Sequence, residues 1–98
     1  MKSQEYITPI DQYVIDFVLK LRVEKSLSQD DIASIIEVSR GFVSNVESPK
    51  NRAKYNLYHI DLLADYFNLS PKDFLPQKAM SEKYSNKKRA KSLLSPKK

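Results

Sequence analysis

Apolar residues in the first quarter of the chain recur with the spacing of one helix face. They stand at i, i+3, i+4, i+7, i+8 and i+11, a period that predicts an amphipathic α-helix. These positions are Ile10, Tyr13, Val14, Phe17, Val18 and Leu21. Thr8 can cap a helix N-terminus, Pro9 suits its first turn, and Asp11 is stabilised by the positive end of the helix dipole. We therefore predict a first helix from Pro9 to about Lys25.

Two shorter helices are predicted between residues 28 and 48. Ser28 is the capping candidate of the first, and Asp31 follows at the position that completes a capping box. Ser39 is the candidate cap of the second, over 40–48, and Pro49 ends it because the residue before a proline avoids helical backbone geometry. The inward apolar positions are Ile32, Ala33, Ile35 and Ile36 in the first helix and Val43 and Val46 in the second.

Two further helices are predicted beyond a polar, basic loop at 49–56. Asn56 can cap the fourth helix, and Asn68 can adopt the left-handed conformation that ends it. Ser70 opens a brief fifth helix, which Pro76 ends. The apolar positions are Leu57, Ile60, Leu63, Ala64 and Phe67 in the fourth helix and Phe74 and Leu75 in the fifth. No segment alternates like a β-strand, so the predicted fold class is all-α.

Composition restricts the chemistry open to the protein. A chain of 98 residues fits one domain, with little room for a large pocket. Without cysteine, and with His59 as the single histidine, we expect neither a metal nor another cofactor. His59 is expected to be exposed near the start of the fourth helix, with no nucleophile motif around it, so the sequence does not indicate an enzyme. The polar N-terminus and the lack of a long apolar run predict a cytoplasmic protein without a membrane segment.

Charge divides the chain unevenly. Residues 1–76 carry 9 Lys or Arg and 11 Asp or Glu, whereas residues 77–98 carry 8 Lys or Arg and one acid. We therefore divide the chain into an N-terminal extension (1–8), a helical domain (9–76) and a basic tail (77–98), which we expect to be flexible and disordered. Such a tail either contacts a polyanion or is simply solvated.

The residues around the second and third predicted helices follow a known order. Residues 28–33 read Ser-Gln-Asp-Asp-Ile-Ala, and residues 38–47 read Val-Ser-Arg-Gly-Phe-Val-Ser-Asn-Val-Glu. This order resembles the phage-repressor (Xre/Cro-like) helix-turn-helix family, and the likeness extends over about 10–76. The resemblance implies a five-helix lambda-repressor-like DNA-binding domain. It also implies double-stranded DNA as the partner and a homodimer, at least on DNA.

The resemblance implies a role for individual side chains. Arg40 begins the recognition helix, where its planar fork suits guanine O6 and N7. Asn45 is expected at an adenine edge or a phosphate, Ser44 at bases or backbone, and Gln29 at a phosphate or base edge near the lip of the groove. The complete implied DNA-binding set is Ser28, Gln29, Ser39, Arg40, Gly41, Phe42, Ser44, Asn45, Lys50, Arg52, Lys54 and Tyr55.

Two positions depart from the family pattern. Gly41 stands where a base-reading side chain is common, so it permits close approach to the groove and leaves Phe42 to meet a thymine methyl or a sugar. Phe42 is equally compatible with a place in the core. Glu37 stands where the family often has glycine in the turn, and a left-handed backbone there costs a residue with a side chain about 1 kcal/mol.

The loop after the third helix supplies the remaining contacts. Lys50, Arg52 and Lys54 are expected on phosphates, which fix register without reading sequence, and Tyr55 is expected to add a hydroxyl contact. The alternative to DNA contact for the cations, Arg40 included, is that they are solvated surface charges. The alternative for Ser28, Ser39 and Ser70 is that they only cap helices.

Three classes of function follow from these features. The first is a sequence-specific transcriptional regulator that represses by occupying a promoter, with an antitoxin that binds a toxin and represses its own operon as a variant. The second is a module that uses the same domain to bind a partner protein, which the net −2 of residues 1–76 favours. The third is a nonspecific nucleic-acid protein driven by the basic tail.

Overall fold

The computed structural model describes residues 7–83 and contains only helices and connecting turns over that range. The predictions for residues 1–6 and for most of the basic tail therefore lie outside the described residues. The elements are α1 (Pro9–Glu24), α2 (Gln29–Ile36), α3 (Arg40–Glu47), α4 (Leu57–Phe67) and a 3₁₀ helix (Pro71–Phe74). This confirms the all-α class.

The predicted capping residues begin every helix. The Thr8 hydroxyl accepts from the Asp11 amide, and the Ser39 hydroxyl accepts from the Phe42 amide. Ser28 has a reciprocal capping box, in which its hydroxyl and the carboxylate three residues later each accept a backbone N–H. Ser70 has the same arrangement with Asp73 at the 3₁₀ helix. At α4 the reciprocal acceptors are the Asn56 side-chain oxygen and Nδ1 of His59. These bonds satisfy amides that a helix N-terminus otherwise leaves without partners.

The core lies where α2 packs against α3 and α4, with α1 and the 3₁₀ helix closing it. Phe74 brings the 3₁₀ helix into this core, and its ring meets that of Phe17 edge to face, with centroids 4.9 Å apart. The largest fully buried side chains are Phe74, Ile32, Ile36, Leu63, Val18 and Val43. They come from all five elements, so burying them fixes α2 and α3 against the rest of the domain.

Some predictions of the fold were wrong. The fifth helix is a single 3₁₀ turn because Pro71 and Pro76 leave room for only four helical residues, and Leu75 beyond it is 38% exposed. Leu57 is 80% exposed because α4 buries a face centred near Leu63, away from its first residue. Ile10 and Tyr13 are also more exposed than predicted, because Ile15 turns inward with Val14 and Val18.

Candidate nucleic-acid interface

Three residues join α2 to α3 in a tight turn. Glu37 adopts the left-handed conformation, with φ 64° and ψ 41°. The Val38 amide donates to the Ala33 carbonyl oxygen at 3.0 Å and so ties the turn to α2. The strain at Glu37 is about 1 kcal/mol. The Glu37 carboxylate also accepts from the Tyr58 hydroxyl at 3.3 Å, which links the turn to α4.

The short α3 helix divides cleanly into a buried face and an exposed face. Val43 and Val46 are buried against the rest of the domain. The residues that share the opposite, exposed face are Arg40, Gly41, Ser44 and Asn45. The buried face packs α3 onto the domain. The exposed face presents the Arg40 guanidinium, the Asn45 amide and the Ser44 hydroxyl to solvent.

Gly41 is not required by packing within the described chain. Its φ is not positive, and a Cβ built there would meet only the Ser39 hydroxyl oxygen, at 3.8 Å. That distance is an ordinary van der Waals contact. No contact within the described chain therefore requires glycine at this position. Because Gly41 has no side chain, an external partner can approach the helix backbone closely there.

The loop after α3 adds an exposed cationic strip. Lys50, Arg52 and Lys54 are all exposed. The loop is shaped by its own side chains, since the Ser48 hydroxyl accepts from the Lys50 amide and the Asn51 side chain accepts from the Ala53 amide. Lys54 also lies 3.5 Å from the Asp11 carboxylate, a solvent-exposed pair of small energetic value that leaves the ammonium able to exchange partners.

Glu47 anchors the end of α3 to the two preceding helices. Its carboxylate accepts two hydrogen bonds from the Arg22 guanidinium, at 2.8 and 2.9 Å, and one from the Gln29 amide at 2.8 Å. Arg22 also donates to the Leu27 carbonyl oxygen at 3.0 Å. The Gln29 amide predicted to reach DNA is therefore bound to Glu47. The sequence pattern included Glu47 without giving it a role, because its partners lie 18 and 25 residues away.

Tyr55 corrects the predicted hydroxyl contact with DNA. Its side chain belongs to the core at 7% exposure, so the phenol does not reach a phosphate. The hydroxyl is buried and has no hydrogen-bond partner among the described residues. Burial raises the pKa of this phenol well above its usual range, and the negative charge of Glu47 adds to the shift. Tyr55 therefore stays neutral, and its buried ring anchors the end of the loop to the core.

His59 corrects the expectation of an exposed histidine. It is 8% exposed, and its Nδ1 accepts from the Asn56 amide at 3.1 Å as part of the α4 cap. Desolvation lowers the pKa of the imidazole, which favours the neutral ring that this acceptor role needs. Phe42 packs edge-on against His59 and Tyr55, with centroids at 5.4 and 6.2 Å. Phe42 was predicted either to contact DNA or to lie in the core, and the structure places it at the edge of the core.

Apart from Ser28, the exposed candidate residues lie between residues 39 and 54, in a stretch of chain with a local charge of its own. From residue 39 to 56 there are four cations and a single acid, and that acid is Glu47, already paired with Arg22. This stretch is therefore positive although residues 1–76 as a whole are not. The solvent-exposed members of the predicted set are Ser28, Ser39, Arg40, Gly41, Ser44, Asn45, Lys50, Arg52 and Lys54.

Comparison of the chain with protein-family models found no match, and comparisons with curated proteins and with solved structures found none either. Between residues 7 and 83, no helix combines the length and the apolar character needed to cross a membrane.

Proposed function

We propose that this protein is a sequence-specific DNA-binding transcriptional regulator that represses by occupying a promoter, with α3 in the major groove. The observation that carries the proposal is the exposed face of α3, which presents Arg40, Ser44 and Asn45 around the smooth surface of Gly41. An α-helix fits the major groove, and residues at its N-terminal end reach the base edges.

Each exposed side chain has a chemical counterpart on DNA. Arg40 makes no salt bridge with another described residue, so its fork is available to pair with guanine O6 and N7. The Asn45 amide can pair with adenine N6 and N7, or with a phosphate. Lys50, Arg52 and Lys54 then bind phosphates, which hold the helix in register and supply affinity without reading bases.

Arg40 gives the decisive test of base reading. We expect selection of genomic DNA fragments by the full chain, at near-physiological salt, to return a shared two-fold motif. Arg40→Ala should cost about 1–3 kcal/mol at one motif position and relax the preference there, because one bidentate pair is lost. Arg40→Lys retains the charge but not the fork, so it should lose the same preference while losing less affinity for unrelated DNA.

Lys72→Ala is the matched control, because Lys72 is an exposed cation on the 3₁₀ helix, far from α3 in the chain. It should leave the motif and its affinity unchanged. Equal losses on every sequence for Arg40→Ala would remove Arg40 from base readout. If the unaltered chain enriches no motif, the sequence-specific proposal fails.

A second candidate function is favoured by the surface of α4. Leu57, Tyr58 and Tyr66 are exposed there, and acidic Asp61 and Asp65 lie between them. Exposed aromatic and aliphatic side chains with a polar rim are typical of protein contacts. This favours a protein-binding module or an antitoxin-type autorepressor. A toxin-like gene beside this one, together with a stable complex of the two purified products, would support it.

A further inference from the structure

An open groove of about 700 Å³ lies between the N-terminal half of α1 and the junction of α3 with the loop that follows it. Small-molecule sites in proteins are clefts of about 300–1,000 Å³, lined mainly by apolar side chains with a few polar groups among them. The groove falls within this range, although a chain of 98 residues has little room for an enclosed cavity. Its apolar lining includes Tyr13, Ile15, Val46, Pro49 and Met80.

The ionised side chains of the groove are all negative among the described residues. Asp16 and Glu47 line it, and no Lys, Arg or His of the described chain does. Glu47 is already paired with Arg22. Asp16 is exposed and makes no salt bridge with another described residue; its carboxylate accepts one hydrogen bond, from the Gln12 amide at 2.8 Å. The groove therefore contains one carboxylate whose charge no described cation neutralises.

Tyr13 places an aromatic ring beside this carboxylate. Tyr13 and Asp16 are three residues apart on α1, so they share one face of the helix. The Tyr13 side chain is 37% exposed, which leaves part of its ring accessible from the groove. An ammonium paired with Asp16 can also be attracted by that ring. The buried side chains of Ile15 and Val46 supply an apolar surface next to it.

We propose that this groove binds a small organic amine with an aromatic or aliphatic body, its ammonium paired with Asp16. The volume suits one compact molecule, and the single unneutralised carboxylate suits one positive charge. An anion of the same shape is repelled by Asp16, and a neutral molecule gains only the apolar contacts. The site goes beyond the proposed function because it needs no DNA. It places the bound amine against the end of α3 and the start of the loop.

Three probes of nearly equal shape test the charge preference. 4-Phenylbutylamine, its neutral counterpart 4-phenylbutanol and its anionic counterpart 4-phenylbutyrate are titrated into the isotope-labelled full chain, and amide chemical shifts are followed by NMR. We expect the amine to shift the amides of Ile15, Val46 and Asn51, which line the groove, and to saturate them. The amine should have the lowest Kd and the carboxylate the highest.

Asp16→Asn tests the ion pair, because it removes the charge and retains the shape of the side chain. It should weaken binding of the amine about two- to fivefold, the range expected for one solvent-exposed ion pair, and leave the Kd of the alcohol unchanged. Asp65→Asn is the matched control, since Asp65 is an exposed aspartate on α4, which does not line the groove. It should leave the Kd of all three probes unchanged.

The other outcomes overturn the proposal in different ways. If none of the probes shifts the groove amides, the groove is not a binding site for molecules of this size. If the amine and the alcohol bind equally, or if Asp16→Asn leaves the Kd of the amine unchanged, Asp16 does not select a cation. If Asp65→Asn weakens amine binding as much as Asp16→Asn, overall charge accounts for the preference. All of these measurements are made without DNA, so their failure leaves the proposed function untouched.

Discussion

Gly41 is the single glycine of the chain, and it lies in a helix rather than in a turn. Glycine destabilises a helix by about 0.5–1 kcal/mol relative to alanine, and a Cβ at this position meets only one atom, at an ordinary distance. Gly41→Ala should therefore raise the free energy of unfolding by up to about 1 kcal/mol in urea titrations. It should lower affinity for the selected DNA at least about fivefold, because an added methyl overfills a close interface.

Ser34→Ala is the matched control for Gly41→Ala, since Ser34 is exposed on α2. The control should leave DNA affinity unchanged. Its effect on the free energy of unfolding shows how much an alanine introduced at an exposed helix position changes stability in this domain. Unchanged DNA affinity for Gly41→Ala would mean that the α3 backbone does not approach DNA closely at this point.

Side chains with local partners were predictable from the sequence, and side chains with distant partners were not. Ser28 caps α2 through an amide three residues away, so its role can be read from a short window. Tyr55 and His59 were misplaced because the ring of Phe42, in a different element, helps to bury both. Tyrosine and histidine combine an apolar ring with a polar group, so the residue type alone does not predict whether the side chain is buried or exposed.

At the scale of elements, the predicted starts were accurate and the predicted lengths were less so. Caps and prolines act over one turn, which is why α1 to α4 begin where the sequence indicates. The 3₁₀ helix has the same start signal as the others but continues for only four residues. The exposed face of α3 was predictable from its 3.6-residue period, whereas the bonds from Glu47 that orient α3 were not.

Glu47 provides the test of how α1, α2 and α3 are held together. Glu47→Gln removes the charge that pairs with Arg22 and places an amide N–H among groups that donate. Breaking one side of a largely buried ion pair should lower the free energy of unfolding by about 2–4 kcal/mol. Lys54→Ala removes only an exposed pair and should cost less than about 1 kcal/mol. Equal costs for the two variants in urea titrations would show that the Glu47 bonds do not hold the helices.

For the whole molecule, the distribution of charge is more informative than its sum. The net charge of +5 conceals a helical domain with an excess of acids and a strongly basic C-terminal segment. Within that domain the 39–56 stretch is itself positive. The cations of this stretch are all exposed: Arg40 lies on α3, and Lys50, Arg52 and Lys54 lie in the loop that follows it. The net charge of the chain gives no indication of this local excess of cations.

The dimensions of the molecule lead to a prediction about how two copies share DNA. The structure measures 47 × 33 × 21 Å, and one turn of DNA is about 34 Å. Under the proposed function, two copies bound to half-sites one turn apart would therefore lie on the same side of the duplex and could touch. Five extra base pairs between the half-sites rotate one copy by about half a turn. We expect this insertion to abolish cooperative binding in fragment titrations, and five base pairs added outside the site to have no effect. Cooperativity that survives the internal insertion would mean that the copies do not contact each other on DNA.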